Sequence, residues 1–500
     1  MPENGGKRHG PPVTARELLL GLAFGCNASW VHMTFKSMNL FSGEGLGESM
    51  LDLAYLLSIA VLVVVLAAVA IAGRRIEKPL LSPAALVVLP LGMTLSTALV
   101  PLAGALGGAP GTALVAAAGV LTGFFSAPYL VRIGCAFARL TTHSTIVASA
   151  IGTVAASFVF TLFVLFGQLE STVLAMSMPV ISACLLELGS RSLAGEDEGA
   201  KIRETDRSLE EEPSVRSEWG RLLAKLSACS FLAGFANELA RTFYAQICFI
   251  DAGEAVYSIA QAGSALIVTL VVVLLTLVFA SIKAEESAAK NCYYLVLLLL
   301  IGGVVLLPLP FVYPGMDTAF TANIPYAVNS ASYWSFGMLM WSVLCCLAGR
   351  TRIMRVRTIA AVRSAWAAGP LLGMLLARWV MGCWGITLQT TFPAMLLAVL
   401  AIVLACTFAF SERDLMTVME IIPLARKRRF HAKCRRVIEK YDLTEREGEV
   451  LTMLAKGRNV PYIREELCIS RSTASTHRQH IYEKLGVHSQ QELIDLVQNS

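Results

Sequence analysis

Apolar residues along this 500-residue chain come in long blocks separated by short charged loops. A bilayer-spanning helix needs about 20 mostly apolar residues. Twelve stretches qualify, near residues 17–35, 51–72, 83–103, 110–131, 144–166, 170–188, 227–249, 256–281, 292–313, 321–347, 358–382 and 386–410. The eighth has an apolar core from Ala265 through Ala280 broken only by Thr269 and Thr276, whereas Asn27, His32 and Lys36 interrupt the first. So many blocks in series predict a polytopic all-α membrane bundle rather than buried helices of a soluble protein. Glu17 opens an apolar run with no small-residue cleavage pattern behind it, so a first span is expected there and not a signal peptide.

Composition sharpens this picture. The chain is 55% hydrophobic and 15% charged, against about 25% charged in globular domains. That excludes a large soluble enzyme and a disordered chain alike. The net charge of +5 becomes informative once mapped: with the N-terminus inside, 38 of the 41 basic residues fall on inner segments. Lys36 is the exception on an outer loop, and Arg241 and Arg378 lie within spans. The positive-inside rule then predicts a multi-pass protein of the plasma membrane with both termini cytoplasmic. The expected organisation is a cytoplasmic tail 1–16, a six-span half 17–188, a linker 189–226, a second six-span half 227–410, a basic juxtamembrane linker 411–440 and a terminal domain 441–500. The linker mixes signs (Glu210, Glu211 and Glu212 against Lys201, Arg203 and Arg207) without apolar periodicity, as a solvated connection does.

Six spans, a polar linker and six spans resemble the layout of the major facilitator superfamily. Gly234-Phe235-Ala236-Asn237 faintly echoes Phe24-Gly25-Cys26-Asn27, and Gly73-Arg74-Arg75 hints at the superfamily's basic-Gly loop after the second span. The resemblance implies a central cavity lined by the first, fourth, seventh and tenth spans. On those spans ionisable and polar groups stand out, since burying them in a bilayer is costly. Glu238 and Arg241 are three apart on one helix face, next to Asn237. Asn27 and Trp30 sit on the first span, and Asn329, Tyr333 and Trp334 on the tenth. They read either as a pocket for a small, aromatic effector or as helix-packing and interfacial groups. Arg378 needs a partner or must snorkel to an interface. The twelve cysteines include no CxxC pair and read as small buried hydrophobes.

After Phe410 the composition changes abruptly. Residues 426–440 hold eight Lys or Arg (Arg426, Lys427, Arg428, Arg429, Lys433, Arg435, Arg436 and Lys440), suited to anionic lipid or to DNA phosphates. Thr444 with Glu447 makes a capping box, Gly457 can end the helix it opens, and Asn459 caps a second. Ser470 caps a third helix, Arg471 to Leu485, that Gly486 stops, and Ser489 caps a fourth. The short link between the second and third is helix-turn-helix geometry. The stretches Leu443–Leu451, Glu466–His477 and Ile481–Val487 resemble the LuxR-type helix-turn-helix domain over residues 441–498. The resemblance implies a small four-helix domain whose third helix enters the major groove. Ser475, Thr476 and Gln479 would then face double-stranded DNA, with Arg471 and Thr473 near its backbone.

This chain departs from the resembled family at informative positions. Family members commonly carry Val and then Lys where it has Ala474 and Ser475, and a second frequent Lys is Gln479 here. Arg471, Arg478 or the 426–440 cluster would have to restore phosphate affinity. Arg464 and Arg478 replace a small and an apolar residue, and each can lay its stem on the core with its head in water. The resemblance also implies a second copy of the chain and RNA polymerase as partners. The Ser489–Val497 helix either pairs two copies through Leu493 and Val497 or completes the core. No P-loop, HExxH, GxSxG or metal-spaced Cys/His cluster is present, so neither enzyme activity nor a cofactor is expected. The leading expectation is a membrane-embedded regulator whose transporter-like body senses a small molecule. The alternative is a secondary transporter with an accessory tail.

Overall fold

A computed structural model describes residues 13–191, 213–251, 286–313, 324–350, 355–411 and 430–498, apart from positions 36, 38, 42–46, 431–432 and 468, together with six isolated positions. Among these residues there are helices and no strands. Most of the eighth expected span, residues 192–212 of the linker, Lys36 and Arg426–Arg429 lie outside the described residues.

Ten helices among the described residues are long and apolar enough to cross a membrane. The expected seventh span lies within a longer and more polar helix, Pro213–Asp251. Helix starts follow local chemistry. Ser82 accepts from the Ala85 amide with Pro83 in the first turn, and Thr141 accepts from the Ser144 amide. Outer faces carry apolar side chains to the surface; Ile71 is 87% and Phe408 75% exposed. Such side chains are stable against lipid, and the helix satisfies its own backbone groups there.

In the first half, Ala15–Phe35 packs against Thr142–Leu165 and Gln168–Arg191, while Glu48–Ala72 and Pro83–Leu106 pack against Gly108–Phe137. In the second half, Pro213–Asp251 packs against Arg355–Trp384 and Leu388–Leu404, and Glu286–Leu306 against Ile324–Arg350. The halves meet where Glu48–Ala72 touches Arg355–Trp384 and where Thr142–Leu165 touches Ile324–Arg350. Lipid offers no hydrophobic drive for helix association, so close backbone approach has to supply it. A Cβ on Gly152 would stand 2.6 Å from the Gly21 carbonyl oxygen, and one on Gly369 would stand 2.2 Å from that of Phe231. Arg378 finds its partner in Asp52, an ion pair that ties the two halves together.

The chain divides into two compact units, Met1–Met416 and Thr417–Ser500. The second has its own core, centred on Val450, Leu451, Ile463, Ala474, Ile481 and Leu493. Residues 433–440 are helical and send Cys434 and Val437, each 1% exposed, into that core. Part of the stretch expected to be a basic linker is therefore built into the terminal domain, with Arg435, Arg436 and Lys440 left on its surface.

Candidate functional site

Two sites emerge, one in each unit. Within the first, a cavity of about 280 Å³ is lined by segments of seven helices. Besides the four expected spans, Glu48–Ala72, Thr142–Leu165 and Arg355–Trp384 contribute to its wall. Asn27, Trp30, Asn237, Glu238, Arg241, Tyr333 and Trp334 all stand there. Asn329 does not. Its Cα and Cβ pack where a Cβ on Gly303 would come within 2.6 Å, so it lies behind the wall and donates from Nδ2 to Asn237 Oδ1 at 3.4 Å.

Two of the charged groups in this wall, Glu238 and Arg241, are paired. Arg241 donates from Nε to Glu238 Oε1 at 2.6 Å, and the two side chains are 8% and 2% exposed. The Arg241 guanidinium also lies over the Tyr55 ring, 5.2 Å from its centroid. The i,i+3 spacing puts both groups on one face, and the ion pair offsets part of the cost of burying them. The aromatic groups are turned by their polar handles. Trp30 donates to Thr97 Oγ1 at 2.9 Å, leaving its ring toward the cavity. The His32 Nδ1 lies 2.6 Å from the Ala28 carbonyl, and its ring rests on Trp334 with centroids 3.6 Å apart. The side-chain oxygen of Asn27 is buried without a hydrogen-bond partner, so an occupant with a donor group would satisfy it.

Sequence reasoning missed Tyr55, Arg363 and Trp366, which also line the cavity. In the sequence Arg363 counts as one of the 38 basic residues on inner segments. Its distinguishing mark is its place two turns inside an apolar helix, between Ile359 and Trp366.

In the second unit the caps form as the residues require. Thr444 Oγ1 accepts from the Glu447 amide while Glu447 Oε2 accepts from the Thr444 amide at 2.8 Å. Ser470 Oγ accepts from the Thr473 amide at 3.1 Å, and Gly486 closes the Arg471–Leu485 helix in a left-handed conformation at φ 65°. Ala474, Ile481 and Leu485 face inward. Arg471, Thr473, Thr476, Arg478 and Gln479 are exposed, and Ser475 is half-buried. The six residues expected to meet DNA thus lie on one short helix. Thr476 is held to the Ser472 carbonyl at 3.0 Å and Gln479 to Glu483 at 3.2 Å. Arg464 and Arg478 are both exposed, and the Arg478 guanidinium is 5.9 Å from the Tyr482 ring.

Residues 442–497 match the family described as bacterial regulatory proteins, luxR family. The tail is a LuxR-type DNA-binding domain. Over 68 residues the chain is 41% identical to the uncharacterized response regulatory protein YgeK of Escherichia coli, covering 13% of this chain and 46% of that protein. Over 45 residues it is 51% identical to the probable transcriptional regulatory protein NarL of Mycobacterium tuberculosis, covering 9% and 21% respectively. The chain thus spans less than half the length of these curated relatives. The body has the major facilitator fold. It is similar to a proton:xylose symporter of that superfamily, with TM-score 0.53 and 15% identity over 81% of this chain and 98% of the other. It is also similar to an outward-facing bacterial homologue of the iron transporter ferroportin, with TM-score 0.51 and 13% identity over 81% and 99%.

The LuxR-type tail contains two ties invisible as motifs. Gln490 Nε2 donates to the Leu454 and Arg458 carbonyls at 3.0 and 2.9 Å, locking the last helix onto the turn after the first. Lys484 Nζ donates to Glu447 Oε2 at 2.8 Å, joining the third helix to the capping box of the first. Burial alone would raise the Glu447 carboxyl, but the Lys484 and Thr444 hydrogen bonds outweigh it and hold the pKa at about 2. A carboxylate depressed on folding stabilises above its unfolded pKa, and that stabilisation is lost as pH falls through the folded value. The isolated 417–500 unit should therefore lose on the order of 1–2 kcal/mol between about pH 4.5 and 2, allowing for screening at the part-exposed Lys484. Thermal unfolding across that range checks it, and Glu447→Gln should remove the step.

Proposed function

We propose that this protein is a one-component transcription regulator held in the plasma membrane, with both termini cytoplasmic. Its facilitator-fold body senses a small molecule and thereby governs DNA binding by the LuxR-type tail. One observation carries this reading: a DNA-binding domain with its own core follows, in one chain, a transporter fold whose cavity is lined by charged groups and aromatic rings. Asn27, Trp30, Asn237, Glu238, Arg241, Tyr333 and Trp334 contact the effector, with Asn329 bracing Asn237 from behind. Arg471, Thr473, Ser475, Thr476, Arg478 and Gln479 meet DNA, and the recruited partners are a second copy of the chain and RNA polymerase.

One contact inside the body supports a route for control. Lys225, on the same helix as Asn237, Glu238 and Arg241, donates to both carboxylate oxygens of Asp414 at 2.9 Å. Asp414 follows the last membrane helix and is itself capped by Ser411. A displacement of the Pro213–Asp251 helix at the cavity is thus felt where the chain leaves the body. An effector that binds two body states with different affinity shifts their populations by that difference.

Genome-wide occupancy of the tagged full chain tests this. Promoter binding should be found, should change with effector, and should vanish on deletion of residues 417–500. An unchanged transcriptome after that deletion would overturn the reading. The shared fold with transporters favours a second one, a secondary transporter with an accessory tail. It requires substrate uptake into proteoliposomes by the chain truncated at 416.

A further inference from the structure

We propose that Arg363 makes the cavity an anion site, so that the effector is a small aromatic acid whose carboxylate, or equivalent single negative charge, is held by this guanidinium. The inference rests on the sensing reading for its biological meaning and on Arg363 itself for its chemistry.

Among the described residues, three charged side chains line the cavity: Glu238, Arg241 and Arg363. The first two neutralise each other. Arg363 is left over. Its Nε is buried with no hydrogen-bond partner, and among the described residues no carboxylate pairs with it. The eighth expected span cannot supply a carboxylate from its membrane stretch, because residues 256–281 contain no Asp, Glu, Lys or Arg. Two indole rings flank the cation instead, Trp366 at 5.3 Å and Trp341 at 5.7 Å from the guanidinium carbon. Cation–π contact offsets part of the desolvation of a half-buried cation but leaves the in-plane Nε–H donor unused. A half-buried, surplus positive charge is costly in a membrane protein and is relieved by a bound counter-charge.

The shape of the surroundings narrows that counter-charge. A guanidinium presents a planar fork that carboxylates match with two parallel hydrogen bonds. The same wall offers the ring of Trp366, with Tyr333 5.5 Å from it. A flat apolar body next to the carboxylate stacks on such rings, whereas a fully hydrated ion such as free phosphate would forfeit that contact. A cavity of about 280 Å³ admits an acid of one or two rings.

The test is isothermal titration of the full chain in phosphatidylcholine nanodiscs with 2-naphthoate and its neutral isostere 2-naphthamide. The carboxylate should bind at least about tenfold more tightly, the value of a charge-assisted hydrogen bond. Arg363→Gln should bring the two ligands to parity, and Arg363→Lys should retain part of the preference, with size exclusion reporting that both variants remain folded. Equal affinity of amide and acid for the unaltered chain, absence of naphthoate binding, or an intact preference in Arg363→Gln would each overturn the assignment. Replacing the lipid by phosphatidylglycerol separates a soluble acid from a lipid headgroup. If the anionic lipid abolishes naphthoate binding, the headgroup is the occupant and the proposal fails. The measurement involves no DNA, so its outcome is independent of whether occupancy at promoters responds.

Discussion

A chain carrying Val497→Asp should lose its DNA-binding domain by unfolding rather than by a failure to pair. Family resemblance alone leaves the last helix two roles, and the structure decides between them. Leu493 is 0% and Val497 1% exposed, both packed into the core with Ile481 and Leu451. They are spent inside one copy and do not face a second. An aspartate at Val497 forfeits the packing of a buried aliphatic side chain and buries an unpaired carboxylate, together costing roughly 3–5 kcal/mol. That is a large share of the about 5–15 kcal/mol available to a domain. Circular dichroism and thermal melting of the 417–500 unit should show loss of helix at room temperature or a strongly lowered Tm. A normal melt would contradict the burial argument. Any pairing surface on this helix must use outward residues such as Gln491, Glu492 and Asp495, of which Gln491 donates to Asp495 at 3.2 Å. A charge reversal at Asp495 should therefore leave the fold intact.

Glu238→Ala should be the more damaging change in the membrane body. It leaves the Arg241 guanidinium, 7% exposed, without the carboxylate that neutralises it. Breaking a buried pair from one side costs about 3–5 kcal/mol, whereas replacing both members can be close to neutral. The expected result is low yield, aggregation on size exclusion and a lowered Tm in detergent for Glu238→Ala. Glu238→Gln combined with Arg241→Gln should recover a monodisperse protein. If the single and double variants behave alike, the pair carries no structural weight.

The caps show what local chemistry can settle unaided. Thr444 with Glu447, Ser470 and Gly486 lie where side-chain oxygens or a left-handed backbone are needed, and each forms within three residues of itself. The apolar blocks are equally local, since about 20 apolar residues specify a span whatever their neighbours. The Glu238–Arg241 pair was legible for the same reason, because i,i+3 spacing is a property of one helix. Its neighbours in the cavity were legible only as far as a resemblance named the lining spans.

Tertiary structure decided everything that depends on which face a helix turns to which partner. Asn329 and Asn237 are both polar residues on lining spans, yet only Asn237 reaches the cavity, because Asn329 is packed against Gly303. Arg363 looked like one more cytoplasmic basic residue; its helix, in backbone contact with Phe231 through Gly369, turns it instead between two tryptophans. Arg378 met Asp52 across more than 300 residues of chain, and Lys484 met Glu447 across 37. Hydrophobic pattern and capping are short-range and survive in the linear order of residues. Pairings of single charges are long-range, unique to the packed arrangement, and leave no periodic trace in the sequence.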